Sequence, residues 1–295
     1  MNYKMSTKKY LPSFLVQILK KLRVHTIEKL SRKRQHAQLK KFKHETVSEV
    51  VFEGTQINIL IKPNNGWVDN YIFLNSVHEP DILKIIKDNL KEGDVALDIG
   101  ANIGQHTMFM AKFVGEEGSV FAFEPLESNV DSISKSISLN NAKNIVLENM
   151  AVGEGDGVVE MHIPENANDR SSRKLVGVKS DTKQQVKMIA LDKYFGDKKI
   201  DFIKIDTEGF EPEVLTGAKK LISKHKPIIL LEFAPKFYSH RKVDGNDLLN
   251  YLASENYVLR DTPSGYGTVA DVKKYMDYLT KGGGGISNIL AIQDN

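Results

Sequence analysis

The residues best suited to chemistry fall in three short stretches, each closing an apolar run. Val95-Ala96-Leu97-Asp98-Ile99-Gly100-Ala101-Asn102-Ile103-Gly104 passes from a strand-like segment into a turn with two glycines, and a helical pattern follows. Glycines there let the backbone bend tightly and approach a ligand without a Cβ in the way, and the next helix start offers unpaired amides. Val120-Phe121-Ala122-Phe123-Glu124-Pro125 puts an acid 20 residues past Gly104, at the end of the next strand. A carboxylate in that place can accept both hydrogen bonds of a ribose diol. The run from Ile200 to Glu211 delivers Asp206 and Glu208 to the end of a further strand, and Glu232 stands late in Ile228-Ile229-Leu230-Leu231-Glu232. Open α/β sheets bind their ligands at this edge.

The glycine turn is D-x-G-x-N-x-G rather than the dinucleotide pattern G-x-G-x-x-G. Asp98 would repel a pyrophosphate, whereas it suits a cationic or ammonium-bearing ligand. An adenosyl compound with an amino-acid tail and no phosphates fits both acids, and S-adenosylmethionine is the obvious candidate. Asp98 would meet the ammonium or a nearby water. The turn of Gly100, Ala101, Asn102 and Gly104 would shape the methionine end, and Glu124 would hold the ribose. Asn149, after the third strand, is a candidate for the adenine amino group and equally for a turn-forming role. Methyl transfer to a hydroxyl needs a proton acceptor or a metal. Asp206 and Glu208 are the first candidates for the base. Glu232 would join them in a carboxylate cluster or in an oxygen site of the Mg²⁺ type. Glu208 and Glu211 also suit a plainer task, placing negative charge at the start of the helix near Pro212. His106 and His240 are imidazole alternatives, with His240 the better placed after the fifth strand. A lone histidine is more often structural.

These residues need a particular frame. Strand candidates at Val95–Ile99, Ser119–Phe123, Asn144–Leu147, Phe202–Ile205, Ile228–Phe233, Tyr257–Arg260 and Ile286–Ile292 alternate with helical patterns near 104–113, 127–140, 211–224 and 245–255. Such alternation predicts an α/β fold with a doubly wound, mostly parallel seven-stranded sheet. Val47–Phe52 and Gln56–Ile61 flank Glu53-Gly54-Thr55 as a hairpin, and the spacing over Glu79 to Leu90 predicts a helix. The segment from about 156 to 192 breaks the rhythm with an inserted strand pair, Val158–Ile163 and Val186–Ile189, around a polar loop. That loop (Asn166, Asn168, Asp169, Arg170, Ser171, Ser172) would offer groups to a sugar or simply be solvated. The Gly282 to Gly285 run suits either a lid or a mobile turn.

Among 295 residues there is no cysteine, which excludes a disulfide scaffold, a thiolate metal site and a cysteine nucleophile. No run of 18 apolar residues is present to span a bilayer. The charge is uneven: residues 1–44 carry 13 Lys or Arg against Glu28 alone, while the remainder holds 28 basic and 37 acidic residues. Phe14, Leu15, Ile18, Leu19 and Leu22 fall at helical spacing beside these cations. Residues 1–46 therefore read as a basic amphipathic arm preceding the domain at 47–295. Such an arm suits packing against the body or a second copy of the chain, an anionic membrane surface, or nucleic acid. Its apolar stretch is short, broken by Gln17 and followed by no small-residue cleavage site, so export is not expected. The expected location is the cytoplasm, with the inner membrane face as the alternative.

Three segments together give the chain its resemblance to the FkbM-type family of S-adenosylmethionine-dependent methyltransferases: DIGANIG (98–104), the FEP at 123–125 and IDFIKIDTEGFEPEVLTGA (200–218). Ala190-Leu191-Asp192 and Asn288-Ile289-Leu290-Ala291 are also similar to that family. The resemblance covers roughly Val47 to Ile292 and leaves the arm unexplained. It implies a class I Rossmann-like fold ending in an antiparallel strand, and methyl transfer to an oxygen of a sugar, glycolipid or other natural product. A lipid-linked glycan near a membrane would suit the arm. A nucleic-acid substrate is disfavoured: Asp206-Thr207-Glu208-Gly209 stands where a base-amine methylase carries N/D-P-P-Y/F, and an acidic edge repels polyanions. A non-catalytic adenosyl-binding protein would need no such set of acids.

Overall fold

In the computed structural model, the described residues are 39, 44–163, 182–239, 243–262, 267–281 and 285–294. The expectations for the arm, for His240, for the polar loop at 166–172 and for Gly282 to Gly284 lie outside them. Contacts divide the chain into two units, Met1–Lys43 and His44–Asn295. The elements below belong to the second.

Strands β1 (Thr46–Phe52) and β2 (Thr55–Ile61) form the expected antiparallel hairpin. Its loop is the two residues Glu53 and Gly54, with φ of 44° and 80°, because Thr55 already pairs with Phe52. Two positive φ values in a two-residue loop match the twist of the flanking strands. Helices α1 (Trp67–Asn75) and α2 (Pro80–Asn89) come next. α1 was not legible from apolar spacing, since its buried residues are Val68, Asp69 and Ile72.

The main sheet contains β3 (Val95–Ile99), β4 (Ser119–Phe123), β5 (Ile145–Glu148), β9 (Phe202–Ile205), β10 (Ile228–Phe233), β11 (Tyr257–Thr262), β12 (Gly267–Thr268) and β13 (Ser287–Gln293), in the order β12-β11-β13-β10-β9-β3-β4-β5. The five strands from β5 to β10 are parallel, and β13 runs antiparallel between β10 and β11. This is the doubly wound sheet expected, with the two-residue β12 as an eighth strand. Strands β3, β9 and β10 are buried almost throughout, which their continuous apolar runs require.

Helices α3 (Gln105–Phe113) and α4 (Glu127–Asn140) follow β3 and β4. On α4, Ser136 and Asn140 accept hydrogen bonds from the Leu60 and Asn58 amides at 3.0 and 2.8 Å, which closes the free edge of β2. Ile57, Ile59 and Ile61 pack with Ile72, Leu83, Phe109 and Ile133. Burial of each such side chain contributes about 1.5–3 kcal/mol. The insertion is a separate three-stranded sheet, β6 (Ala151–Val152), β7 (Gly157–Ile163) and β8 (Thr182–Ile189), whose Met161 and Val186 pack with Leu126 and Phe210. After α5 (Leu191–Phe195), the helical stretch expected over 211–224 is two helices, α6 (Glu211–Thr216) and α7 (Lys219–His225). The remaining helices are α8 (Pro235–Ser239), α9 (Gly245–Ser254) and α10 (Val272–Lys281). Among the described residues no helix is long and apolar enough to cross a membrane.

Register sets the site. Ile99 pairs with Phe123 on one side and with Ile205 on the other, so the last residues of β3, β4 and β9 are level. Gly100, Glu124 and Asp206 therefore emerge side by side, where chain order reverses between β3 and β9, the switch point at which such sheets bind ligands. The Asp206 carbonyl lies so near Gly100 that a Cβ there would stand 1.8 Å from the oxygen, and Gly100 has φ of 82°. Gly100→Ala is expected to destabilise the protein by roughly 2–4 kcal/mol in urea unfolding; a loss under about 0.5 kcal/mol would contradict this close approach.

Candidate active site

The backbone of the first turn is tied to β4: the Gly100 and Ala101 amides both donate to the Phe123 carbonyl, at 2.9 and 3.1 Å. Asn102 has φ of 55°, and its Oδ1 is buried with no hydrogen-bond partner. The Asn102 amide donates to Glu124 Oε2 at 2.8 Å, while Glu124 Oε1 accepts from the Leu126 amide at 2.9 Å and from Asn129 Nδ2 at 3.3 Å. Burial pushes the Glu124 carboxyl up to about 7, against the opposite pull of those donors. Glu124 thus joins the turn to the start of α4 and keeps lone pairs for a further donor.

Two expectations change with depth. Asp98 is wholly buried, one residue below the strand tips, where it accepts from Thr107 Oγ1 at 2.6 Å and lies 3.5 Å from Lys204 Nζ. It is not in the wall of the cavity described below, so its charge acts through Lys204, which also lies 3.3 Å from Asp206 Oδ2. Burial alone would push the Lys204 ammonium down, but Asp206, Asp98 and Glu79 outweigh it and hold it well above its ordinary value. Asn149 also stays out of the wall: its Nδ2 donates to the Glu124 and Pro125 carbonyls, both at 3.0 Å, the turn-forming alternative.

A cavity of about 370 Å³ opens over the strand tips. Gly100, Phe123, Glu124, Leu126, Met150 and Met161 line it on the β4 and β5 side. Asp206, Glu208 and Glu232 line it on the β9 and β10 side, with Trp67, His78 and Glu79 from the segment that precedes the sheet. Gly104 begins α3, and Ala101 borders a smaller space of about 30 Å³ shared with His78, Glu79, His106, Lys204 and Asp206.

The acidic wall is electrostatically strained. Burial, then repulsion from Asp206, Glu208, Glu211 and Glu79, pushes Glu232 up to about 10. Burial and Asp206 push Glu79 up to about 7, with Lys204 opposing. Glu79 Oε2 lies 3.7 Å from His78 Nδ1 and 3.9 Å from His106 Nε2. Both imidazoles are neutral near pH 7, since burial takes His78 down to about 4 and His106 well below its usual value. Glu79 and Glu208 sit at φ of 50° and 55°, costly for residues with a Cβ. The Glu208 turn is held by Glu211 Oε1, which accepts from Thr207 and Gly209 amides at 2.9 and 3.1 Å, so Glu211 has the supporting role its position suggested.

Asp206, Glu208 and Glu232 share the cavity, but among the described residues no group of three His, Asp or Glu side chains is disposed to hold a metal ion. The Mg²⁺ expectation therefore has no ligand set. Trp67, His78 and Glu79 were missed by sequence reasoning. The one available signal was Glu79-Pro80, an acid before a proline at a helix start.

A level row of strand tips with a glycine turn after the first core strand and an acid after the second defines an S-adenosylmethionine-dependent methyltransferase of the Rossmann-like class. The family model described as the methyltransferase FkbM domain matches residues 98–259, and the chain belongs to that family. A model of the protein-L-isoaspartate(D-aspartate) O-methyltransferases matches residues 12–167. The chain is 26% identical over 179 residues to the hexuronic acid methyltransferase AglP of Haloferax volcanii, covering 59% of this chain and 68% of that protein. It is 32% identical over 75 residues to the protein-L-isoaspartate O-methyltransferase of Caenorhabditis elegans, covering 25% of this chain and 33% of that one. Among solved structures it is similar to methyltransferase FkbM from Methylobacillus flagellatus, at 19% identity and a TM-score of 0.43, over 76% of this chain. The chain spans 52% of that solved protein's length.

Stability should fall as pH rises, because Glu232 in the native state keeps its proton to about 10 whereas an unfolded glutamate releases it near 4.5. The native protein then binds more protons across that interval. Glu232→Gln removes this penalty, so its gain in Tm is expected to be larger at pH 8 than at pH 5 by several degrees; equal gains would contradict the protonated state.

Proposed function

We propose that the protein methylates a hydroxyl of a sugar, free or within a glycolipid. The observation that carries this reading is one cavity with Glu124 on its nucleoside side and Glu79, Asp206, Glu208 and Glu232 on the other. Gly100 lines the cavity with bare backbone, and the buried Asn102 Oδ1 is an acceptor without a partner. These groups fit the cofactor: the Gly100–Asn102 turn would hold its amino-acid end and Glu124 its ribose. Bound S-adenosylmethionine supplies a methyl group already activated by a sulfonium.

The chain's own task is then to orient an acceptor oxygen and take its proton. Asp206 and Glu208 present carboxyl oxygens to the acceptor's hydroxyls. Glu232, protonated, can donate to a ring or hydroxyl oxygen. Glu79 is the proton acceptor we assign, since it stands in the same wall with a proton affinity matched to neutral pH. The hexuronic acid relative supports a sugar acceptor. The isoaspartate match lies in residues 12–167, ahead of Asp206 and Glu208, and bears on the cofactor half. A nucleic acid is disfavoured because Lys204 is the one cation among the described residues lining either space. We assign the basic arm, on its charge, to an anionic membrane surface that brings the enzyme to lipid-linked acceptors.

With labelled cofactor and a panel of glycosides, kcat/KM is expected to rise with pH through about 7, where Glu79 loses its proton. Glu79→Gln should lower kcat about a hundredfold or more and flatten that rise; an unchanged profile would remove Glu79 as the base. Glu124→Ala should weaken cofactor binding in calorimetry by roughly tenfold, two lost ribose hydrogen bonds being worth about that much or more. Unaltered affinity would displace the ribose from Glu124.

A further inference from the structure

We propose that Gln105, the first residue of α3, is a positioning residue for methyl transfer: its side chain clamps the main chain of His78 and so fixes Glu79 over the cavity. The inference rests on the reading of Glu79 as proton acceptor.

Glu79 needs such a hold. It stands at φ of 50° and ψ of 59°, a left-handed conformation that a Cβ makes costly, and Pro80 favours extended backbone in the residue before it. A residue keeps that state only where its surroundings fix the chain on both sides. On the far side α2 does so, since Pro80 opens the helix and the Leu83 amide donates to the Glu79 carbonyl at 3.1 Å. On the near side residues 76–78 belong to no helix or strand, and Gln105 supplies the hold. The His78 amide donates to Gln105 Oε1 and Gln105 Nε2 donates to the His78 carbonyl, both at 2.8 Å. Both residues are buried, so removal of the amide strands two main-chain groups away from water.

The anchor's own place gives the clamp its meaning. Gln105 directly follows Gly104, the last residue of the turn to which we assign the cofactor. Methyl donor and proton acceptor therefore hang from one short stretch of chain, joined by two hydrogen bonds. His106, the next residue, faces the same carboxyl, with its Nε2 3.9 Å from Glu79 Oε2. A reacting group displaced by about 1 Å can lose roughly a hundredfold in rate.

The test is methyl transfer to methyl hexopyranosides, with S-adenosylhomocysteine binding followed by calorimetry and Trp67 emission measured beside it. Gln105→Met keeps nearly the same bulk and removes both hydrogen bonds. It is expected to lower kcat roughly tenfold or more, with S-adenosylhomocysteine affinity within about twofold. Added to Glu79→Gln, it is expected to lower kcat by less than about twofold further, because both changes act through one carboxyl. Trp67, the chain's only tryptophan, meets the His78 ring edge-on with centroids 4.9 Å apart, so its emission is expected to change in Gln105→Met. Should Gln105→Met not fold, Gln105→Glu, which keeps an acceptor for the His78 amide, carries the same measurements. An unchanged kcat, or losses that multiply in the double variant, overturns the positioning role, and unchanged emission overturns the clamp. An equal loss of S-adenosylhomocysteine affinity also overturns the role, by placing Gln105 at the cofactor. Full activity in Glu79→Gln removes the proton-acceptor reading, and the positioning role with it. Failure of the unaltered enzyme to methylate any glycoside removes the sugar reading alone, and the emission of Trp67 then decides the clamp.

Discussion

A buried ammonium between two aspartates is the constraint on which the site depends. Lys204 and Asp98 are direct neighbours across β3 and β9, with side chains 5% and 0% exposed. Taking such charges out of water costs several kcal/mol each, which only good pairing offsets. Asp98 supplies that pairing from below and Asp206 from above, so the ammonium locks the two central strands together at the switch point. It also sets the balance of the floor. One cation serves two acids, and the remaining carboxyls of the wall must hold protons or repel each other.

Much of this was legible because the fold places function directly after strands. Each apolar run ended at a residue the register later made level, so Gly100, Glu124 and Asp206 could be named from the ends of 95–99, 119–123 and 202–205. Depth was harder to read. Asp98 stands only two residues before Gly100, yet that step carries it from the tip into the interior, and no pattern in one strand reveals a lysine across from it. Asn149 had two plausible tasks, and the choice turned on where the neighbouring carbonyls lie. The long helical stretch at 211–224 breaks at Gly217 and Ala218, where the chain passes so close to the Gly153 carbonyl that a Cβ at Gly217 would lie 1.9 Å from it. Trp67, His78 and Glu79 come from a segment ahead of the sheet, and only tertiary packing brings them to the cavity.

The two sides of the cavity answer different needs. On the β4 and β5 side, apolar residues surround one well-bonded carboxyl, the side to which we assign the nucleoside. On the β9 and β10 side the groups are acids in unfavourable company, two of them on residues in left-handed backbone. Strain and raised proton affinity are greatest on this side, although Asn102 shows the first and Glu124 the second on the other. The supporting bonds of Glu211 and the buried rings of His78 and His106 keep that arrangement from relaxing.

The main sheet ends at both sides in stubs, four residues at Ile145–Glu148 and two at Gly267–Thr268. A foreign strand adds to a sheet through a row of open amides and carbonyls, and these margins offer very few. The β2 margin of the hairpin is occupied by Ser136 and Asn140 from α4. Strand addition is therefore discouraged at the ends of the main sheet and along β2, and the seven-residue edges of β1 and β7 are where, among the described residues, the backbone ladder stays open.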